Sequence, residues 1–149
     1  MRAGLGRPVL LAALAAAVAA GACRMSDHRA RIETNVTLLS QLSDKLTDYC
    51  RAGFELDGRE LTSEEMGEFY YALKRARGHA PRPGGAEADL VDKDYEEFLT
   101  AYENFVRAAD LYRLSRERSA ATLDSLVREH AALRRHADSL LALLHSPHR

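Results

Sequence analysis

Tryptophan is absent from this chain of 149 residues, cysteine occurs only at 23 and 50, and neither sign of charge predominates. With 21 basic against 22 acidic side chains the formal net charge is -1, so no strong field exists to collect nucleic acid or an anionic membrane surface. Nucleic acid is excluded as a partner class. Proline is missing from every stretch that reads as helix interior; its four copies stand at 8, 81, 83 and 147. No Gly-rich phosphate loop, Gly-x-Ser-x-Gly elbow, paired-cysteine metal spacing or His-Glu-x-x-His is present. Glu64, Glu65 and Glu68 read as carboxylates of a helix start rather than an acid–base pair. His130, His136, His145 and His148 gather near the C-terminus, but residues six apart on a helix diverge, and only His145 and His148 are close enough to converge. The expectation is a protein that is not an enzyme, with no cofactor, no metal and no small-molecule substrate.

What the chain does have is one long stripe. From Val91 to Leu144 a spacing of four then three residues runs without a slip through Val91, Tyr95, Phe98, Tyr102, Phe105, Ala109, Tyr112, Arg116, Ser119, Leu123, Leu126, His130, Leu133, Ala137, Leu140 and Leu144. Only Arg116, Ser119 and His130 interrupt its apolar character. Such a heptad keeps one face of a helix apolar, and Leu99, Val106, Ala120, Val127 and Leu141 widen that face toward bundle packing. The chemistry crowding its start, Glu87, Asp89, Asp92 and Asp94, favours the positive end of a helix dipole.

Two shorter helices precede it. Ser26 or Asp27 can cap a first helix to about residue 52, with Ile32, Val36, Leu39, Leu42, Leu46, Tyr49 and Cys50 on one side and Gly53 suited to the left-handed stop. Cys50 then reads as a small buried hydrophobe. Asp57-Gly58 is a turn signal. Thr62-Ser63-Glu64-Glu65 fits a capping box, flanked by Leu61 and Met66 as a hydrophobic staple, and Met66, Phe69, Tyr70 and Leu73 give the apolar face of a helix over 63–77 that Gly78 terminates. The stretch from His79 to Gly85, with Pro81 and Pro83, is a linker.

The predicted fold is therefore all-α: two shorter helices, about 27–52 and 63–77, packed on a long coiled-coil-like helix over 87–145. A continuous third helix would be roughly 85 Å long against about 38 and 22 Å for the others, so they cannot cover it. They should pack on its aromatic half and leave Leu123, Leu126, His130, Leu133, Leu140 and Leu144 as an interaction surface. A second copy is the natural occupant: in a parallel dimer Glu129 would face Arg134, and two His130 rings would meet, so that protonation opposes pairing. The competing arrangement breaks the helix at Ser115-Arg116-Glu117-Arg118-Ser119 and makes an antiparallel four-helix bundle. No Gly or Pro enforces that break, and Arg and Glu favour continuity.

The first residues carry an address. Arg2 and Arg7 charge the start, Val9 to Ala20 is an apolar run too short for a comfortable membrane span, and Ala20, Gly21 and Ala22 lead directly into Cys23. With two cysteines in the chain, finding one there by chance has odds on the order of one in seventy-five. Residues 20–23 resemble the lipobox of bacterial lipoprotein precursors, with Ala20 where that motif most often has Leu. The resemblance implies a signal peptide over 1–22, acylation of Cys23 and a single helical domain over 23–149. Arg24, standing where the inner-membrane retention signal of enteric-type lipoproteins has Asp, implies outer-membrane sorting where the organism has such a membrane. Ala20-Gly21-Ala22 also satisfies ordinary signal peptidase, which would leave Cys23 free to form a disulfide with Cys50.

A lipidated Cys followed by heptads is similar in outline to the major murein lipoprotein of enteric bacteria. That family ends in a Lys linked to peptidoglycan, and here no Lys follows Lys93, so covalent wall attachment is not implied. The functional expectation is an exported, lipid-anchored helical scaffold or assembly protein of the cell envelope, facing the periplasm. It would act through its C-terminal coiled-coil surface on a second copy or another envelope protein. The alternative is a soluble periplasmic helical chaperone or sensor.

Overall fold

The computed structural model describes the backbone of residues 7–78 and 86–146 and the side chains of 26–78 and 90–146. Four helices make up nearly all of it: α1, Arg7–Arg51; α2, Ser63–Arg77; α3, Ala86–Leu114; and α4, Ala120–His145. A hairpin of two very short strands, β1 (Glu55–Leu56) and β2 (Arg59–Glu60), joins α1 to α2. The all-α expectation holds, and three of its local signals are realised in full.

Gly53 ends the first helix as its lack of a side chain suggests. With φ of 67° it takes the left-handed position, its N–H donates to Cys50 O and the Phe54 N–H reaches back to Tyr49 O at 2.7 Å, the paired bonds of a Schellman stop. Asp57 and Gly58 both have positive φ, 54° and 73°, which makes the reversal a type I′ turn and matches the twist of the strands it joins. Thr62 accepts from the Glu65 N–H at 3.1 Å while the Glu65 carboxylate accepts from the Thr62 N–H at 3.0 Å, closing the capping box. Leu61 and Met66, the staple pair, are both buried. Gly78 also ends its helix, but with right-handed geometry, its N–H shared between Lys74 O and Arg75 O.

The first helix is longer than expected. It begins at Arg7 rather than near residue 27, because the Ala- and Leu-rich run before Cys23 favours helix and no proline interrupts it after Pro8. Cys23 and Cys50 therefore lie on one helix, about 40 Å apart at 1.5 Å per residue, which no disulfide spans. Cys50 is a free, buried cysteine.

The single long C-terminal helix is the main correction. The chain leaves helix after Leu114 and re-enters it at Ala120, reversing direction over Ser115 to Ser119. Nothing in the local propensities of Arg116, Glu117 and Arg118 demands this, and five helical residues would gain only a few tenths of a kcal/mol each. Folding back instead buries Leu126, Leu133, Leu140 and Leu144, at about 1.5–3 kcal/mol apiece. Burial wins by a wide margin. Polar contacts then hold the reversal: Ser119 caps α4 by accepting from the Thr122 N–H, Arg118 donates to both Gly53 O and Arg113 O at 2.9 Å, and its guanidinium lies 4.9 Å from the Phe54 ring centre.

With the break in place the lengths match. From residue 26 onward α1 runs about 39 Å, against about 44 Å for α3 and about 39 Å for α4, so over that part the three helices cover one another. Helices α1 and α3 are parallel, with His28 beside Asp92 at one end and Phe54 against Tyr112 at the other; α4 runs antiparallel to both, its His130 at Asp44 and its His145 at Glu33. Helix α2 packs on α1 and α3, away from α4. The core is one cluster in which α1 gives Ile32, Val36, Leu39 and Leu46, α3 gives its aromatic stripe, and α4 its leucines. Small residues of α1, Ser40, Ser43 and Thr47, are also buried, and two satisfy themselves within the helix: Ser43 donates to Ser40 O and Thr47 to Ser43 O.

Candidate functional site

The lipidation residue comes first in the chain. Cys23 sits on the backbone of α1, but its side chain lies outside the described ones, as do Met1 to Gly6, and the signal-peptide expectation falls on that part of the chain. The first described buried residue is His28, one and a half helical turns further on. Any anchor at Cys23 would thus emerge from the His28 end of the bundle, and the 115–119 reversal would stand at the opposite end.

The predicted interaction surface is not free. Leu126, Leu133, Leu140 and Leu144 are between 1% and 8% exposed, and Leu123 and His130 are half-buried against the same core. The expectation failed because it assumed a continuous helix, for which no intramolecular cover existed. Once α4 turns back, α1 and α3 supply that cover.

His130 shows the change most clearly. Instead of meeting its own copy across a dimer, its Nε2 lies 2.8 Å from Asp44 Oδ1 and its ring centre 5.6 Å from that of Phe105, while Arg134 Nε approaches the same carboxylate at 3.7 Å. Two further histidines tie α1 to its neighbours: His28 to Asp92 of α3 at 2.7 Å and His145 to Glu33 at 2.9 Å. His28 is 3% exposed, and its Nδ1 and the Asp92 Oδ2, both buried, have no hydrogen-bond partner. Such a buried pair fixes which residues lie opposite one another, while its desolvation cost offsets most of its attraction. These bridges were invisible in the sequence, where their partners are 64 to 112 positions away.

Buried hydroxyls are likewise structural. Tyr95 donates to Ala76 O and accepts from the Asn35 amide, and Tyr102 donates to Phe69 O, which fixes α2 on α3. Burial pushes the Tyr95 phenol up to about 12 and raises that of Tyr102 further. It also pushes the Cys50 thiol up to about 12, against a smaller opposing effect of Arg118, so the nucleophilic thiolate is suppressed.

The remaining surface offers shallow features. A groove of about 340 Å³ between α3 and α4 is lined by Asp94, Ala132, Arg135, His136, Ser139 and Leu140. Another lies along the outer face of α1 beside Leu38, which is 44% exposed. At the reversal end Leu111 and Leu114 are 70% and 64% exposed, the largest apolar exposure among the described residues. Among the described residues no group of three histidine, cysteine or acidic side chains could hold a metal ion, and no helix is long and apolar enough to cross a membrane. No protein-family model, curated protein or solved structure matches the chain.

Proposed function

We propose that the chain is an exported, lipid-anchored helical bundle that serves as a scaffold or assembly partner in the cell envelope, on the periplasmic side of the membrane. The observation that carries this reading is the placement of Cys23: it follows an apolar run and the small residues Ala20, Gly21 and Ala22, and the first described buried residue of the bundle, His28, stands five positions after it. Acylated there, the protein is held by its His28 end and presents its reversal end, with Leu111 and Leu114, to partners about 40 Å away along α1. Arg24 supports sorting to an outer membrane where one exists. The surface supports association over catalysis, since the described residues offer shallow grooves and exposed leucines, and the one described thiol is held protonated.

Metabolic labelling with a palmitate analogue tests the anchor. The wild-type chain should carry label in the membrane fraction and Cys23→Ala should lose it. An unlabelled wild-type chain released with the soluble periplasmic contents would instead favour a soluble helical chaperone or sensor, a reading to which the self-contained bundle also lends itself.

A further inference from the structure

We propose that the partner is a second copy of the chain, and that the two copies exchange α4. In this form residues 115–119 straighten into helix, α3 and α4 become one rod of about 90 Å, and each α4 fills the groove between α1 and α3 of the other copy. This deepens the scaffold reading and rests on it only for the purpose of association; the exchange itself requires no lipid.

The heptad carries the inference. In a helical hairpin each helix turns its own apolar face inward, and the residues of the loop need not keep the two faces in phase. Here they do: the four-three spacing passes through Tyr112, Arg116, Ser119 and Leu123 without a slip although Ser115 to Ser119 are not helical. A straightened segment would therefore leave the stripes of α3 and α4 on one side of one rod. That is what exchange demands, because two antiparallel rods would then meet along a single seam, the α3 of each against the α4 of the other.

The register agrees. Phe105 lies against His130 in the closed bundle. Stepping along the stripe from that pair in antiparallel sense places Ala109 opposite Leu126, Tyr112 opposite Leu123 and finally Arg116 opposite Ser119. In the closed chain this last pair belongs to the loop. Between two copies it forms twice and completes the seam across the two-fold axis.

The closed loop resists exchange through few contacts. All five of its residues are exposed, it contains neither Gly nor Pro, and Arg, Glu and Arg at its centre are good helix formers. Its holdings are the Ser119 cap, the Ser115 hydroxyl bond to Glu117 O, and Arg118, which donates to Gly53 O and Arg113 O and lies over the Phe54 ring. Every other contact of α4 is recovered from the partner copy.

The test uses two full-length chains expressed together, one carrying Glu33→Cys and the other His145→Cys, treated with a short bis-maleimide. These positions face each other at 2.9 Å and are about half exposed, so substitution is tolerated. The expected result is a crosslinked species of twice the chain mass, absent when either cysteine chain is alone. Its yield should rise several-fold in Arg116→Leu/Ser119→Leu, which makes the seam apolar only where the rods are continuous. It should vanish in Glu117→Pro, which forbids the rod but suits a loop, with helical circular dichroism retained. Overturning results are monomers alone in all variants, or dimers lacking the 33–145 crosslink, which would be docked surfaces. Run in wild-type and Cys23→Ala backgrounds with palmitate labelling in parallel, the two readings fail separately: a labelled chain that does not crosslink sinks the exchange alone, and an unlabelled one that does sinks the anchor alone.

Discussion

Leu133→Ala separates a leucine stripe that is core from one that is a docking face. Leu133 is 1% exposed at the middle of α4, with Leu126 and Leu140 one heptad to either side. Truncation removes the buried methyl and methylene groups and leaves a cavity that the surrounding helices fill only in part, for a loss of about 2–5 kcal/mol. Taking about 3 kcal/mol, and an unfolding entropy near 2.1 cal/mol/K per residue over roughly 120 residues, the melting temperature should fall by about 12 °C. Leu111→Ala, at a site 70% exposed, is the matched control and should shift stability by no more than about 0.5 kcal/mol. Thermal and urea melts of the full-length chain in a mild detergent, followed by far-UV circular dichroism, read both. Equal, small losses in the two variants would refute the placement of α4 in the core and restore its leucines as an outward face.

Three further outcomes follow from local contacts. Thr62→Ala should cost about 1 kcal/mol through loss of its cap and should first raise amide exchange in the opening turn of α2, with α4 unaffected. Hydrogen bonding from Arg77, with Arg77 and Arg107 charges adding, lowers the Glu103 carboxyl below the usual 4.5, and bonds from the Thr62 backbone and hydroxyl do the same for Glu65. Both therefore stabilise the fold above their unfolded values and lose that contribution as pH falls through the folded ones, so Glu103→Gln should flatten the acid limb of stability against pH below about 4.5. Burial acts oppositely at high pH. Cys50 and Tyr95 are pushed from 9.0 and 10.0 to about 12, so the unfolded chain ionises first and stability should fall as pH rises from 9 toward 12. Tyr95→Phe should lessen that fall, and its absence in the wild type would show that the phenol is solvated.

Local signals were legible because their chemistry is local. Gly53 had to be the left-handed stop, Asp57-Gly58 fits few structures other than a tight turn, and the Thr62–Glu65 box satisfies itself within four residues. The apolar faces were also legible, since every stripe residue from Val91 to Tyr112 is buried. What could not be read was the direction of the chain after Leu114. Arg116, Glu117 and Arg118 favour helix, and the break is decided by distant groups: the cover that α1 offers to Leu126 and Leu133, and the Gly53 carbonyl that receives Arg118. The site suffered accordingly. The proposal for Cys23 needs only its immediate neighbours, whereas the leucines were assigned outward because their cover depended on that unread turn.

Helix α1 is synthesised before the other described helices, and it is closed over by α4. Its Glu33 meets His145 and its Asp44 meets His130, so the groove that seats α4 stays open until α4 has been made. An mRNA cut short within α4 would therefore yield a product that differs in kind from a slightly shorter protein: Ile32, Val36 and Leu39 of α1 and the aromatic stripe of α3 would lie partly bare. Proteases and chaperones that survey apolar surface could tell such a product from the finished one without any dedicated signal. The meeting of α1 with α4 thus makes the presence of an intact α4 a property that can be sensed from outside.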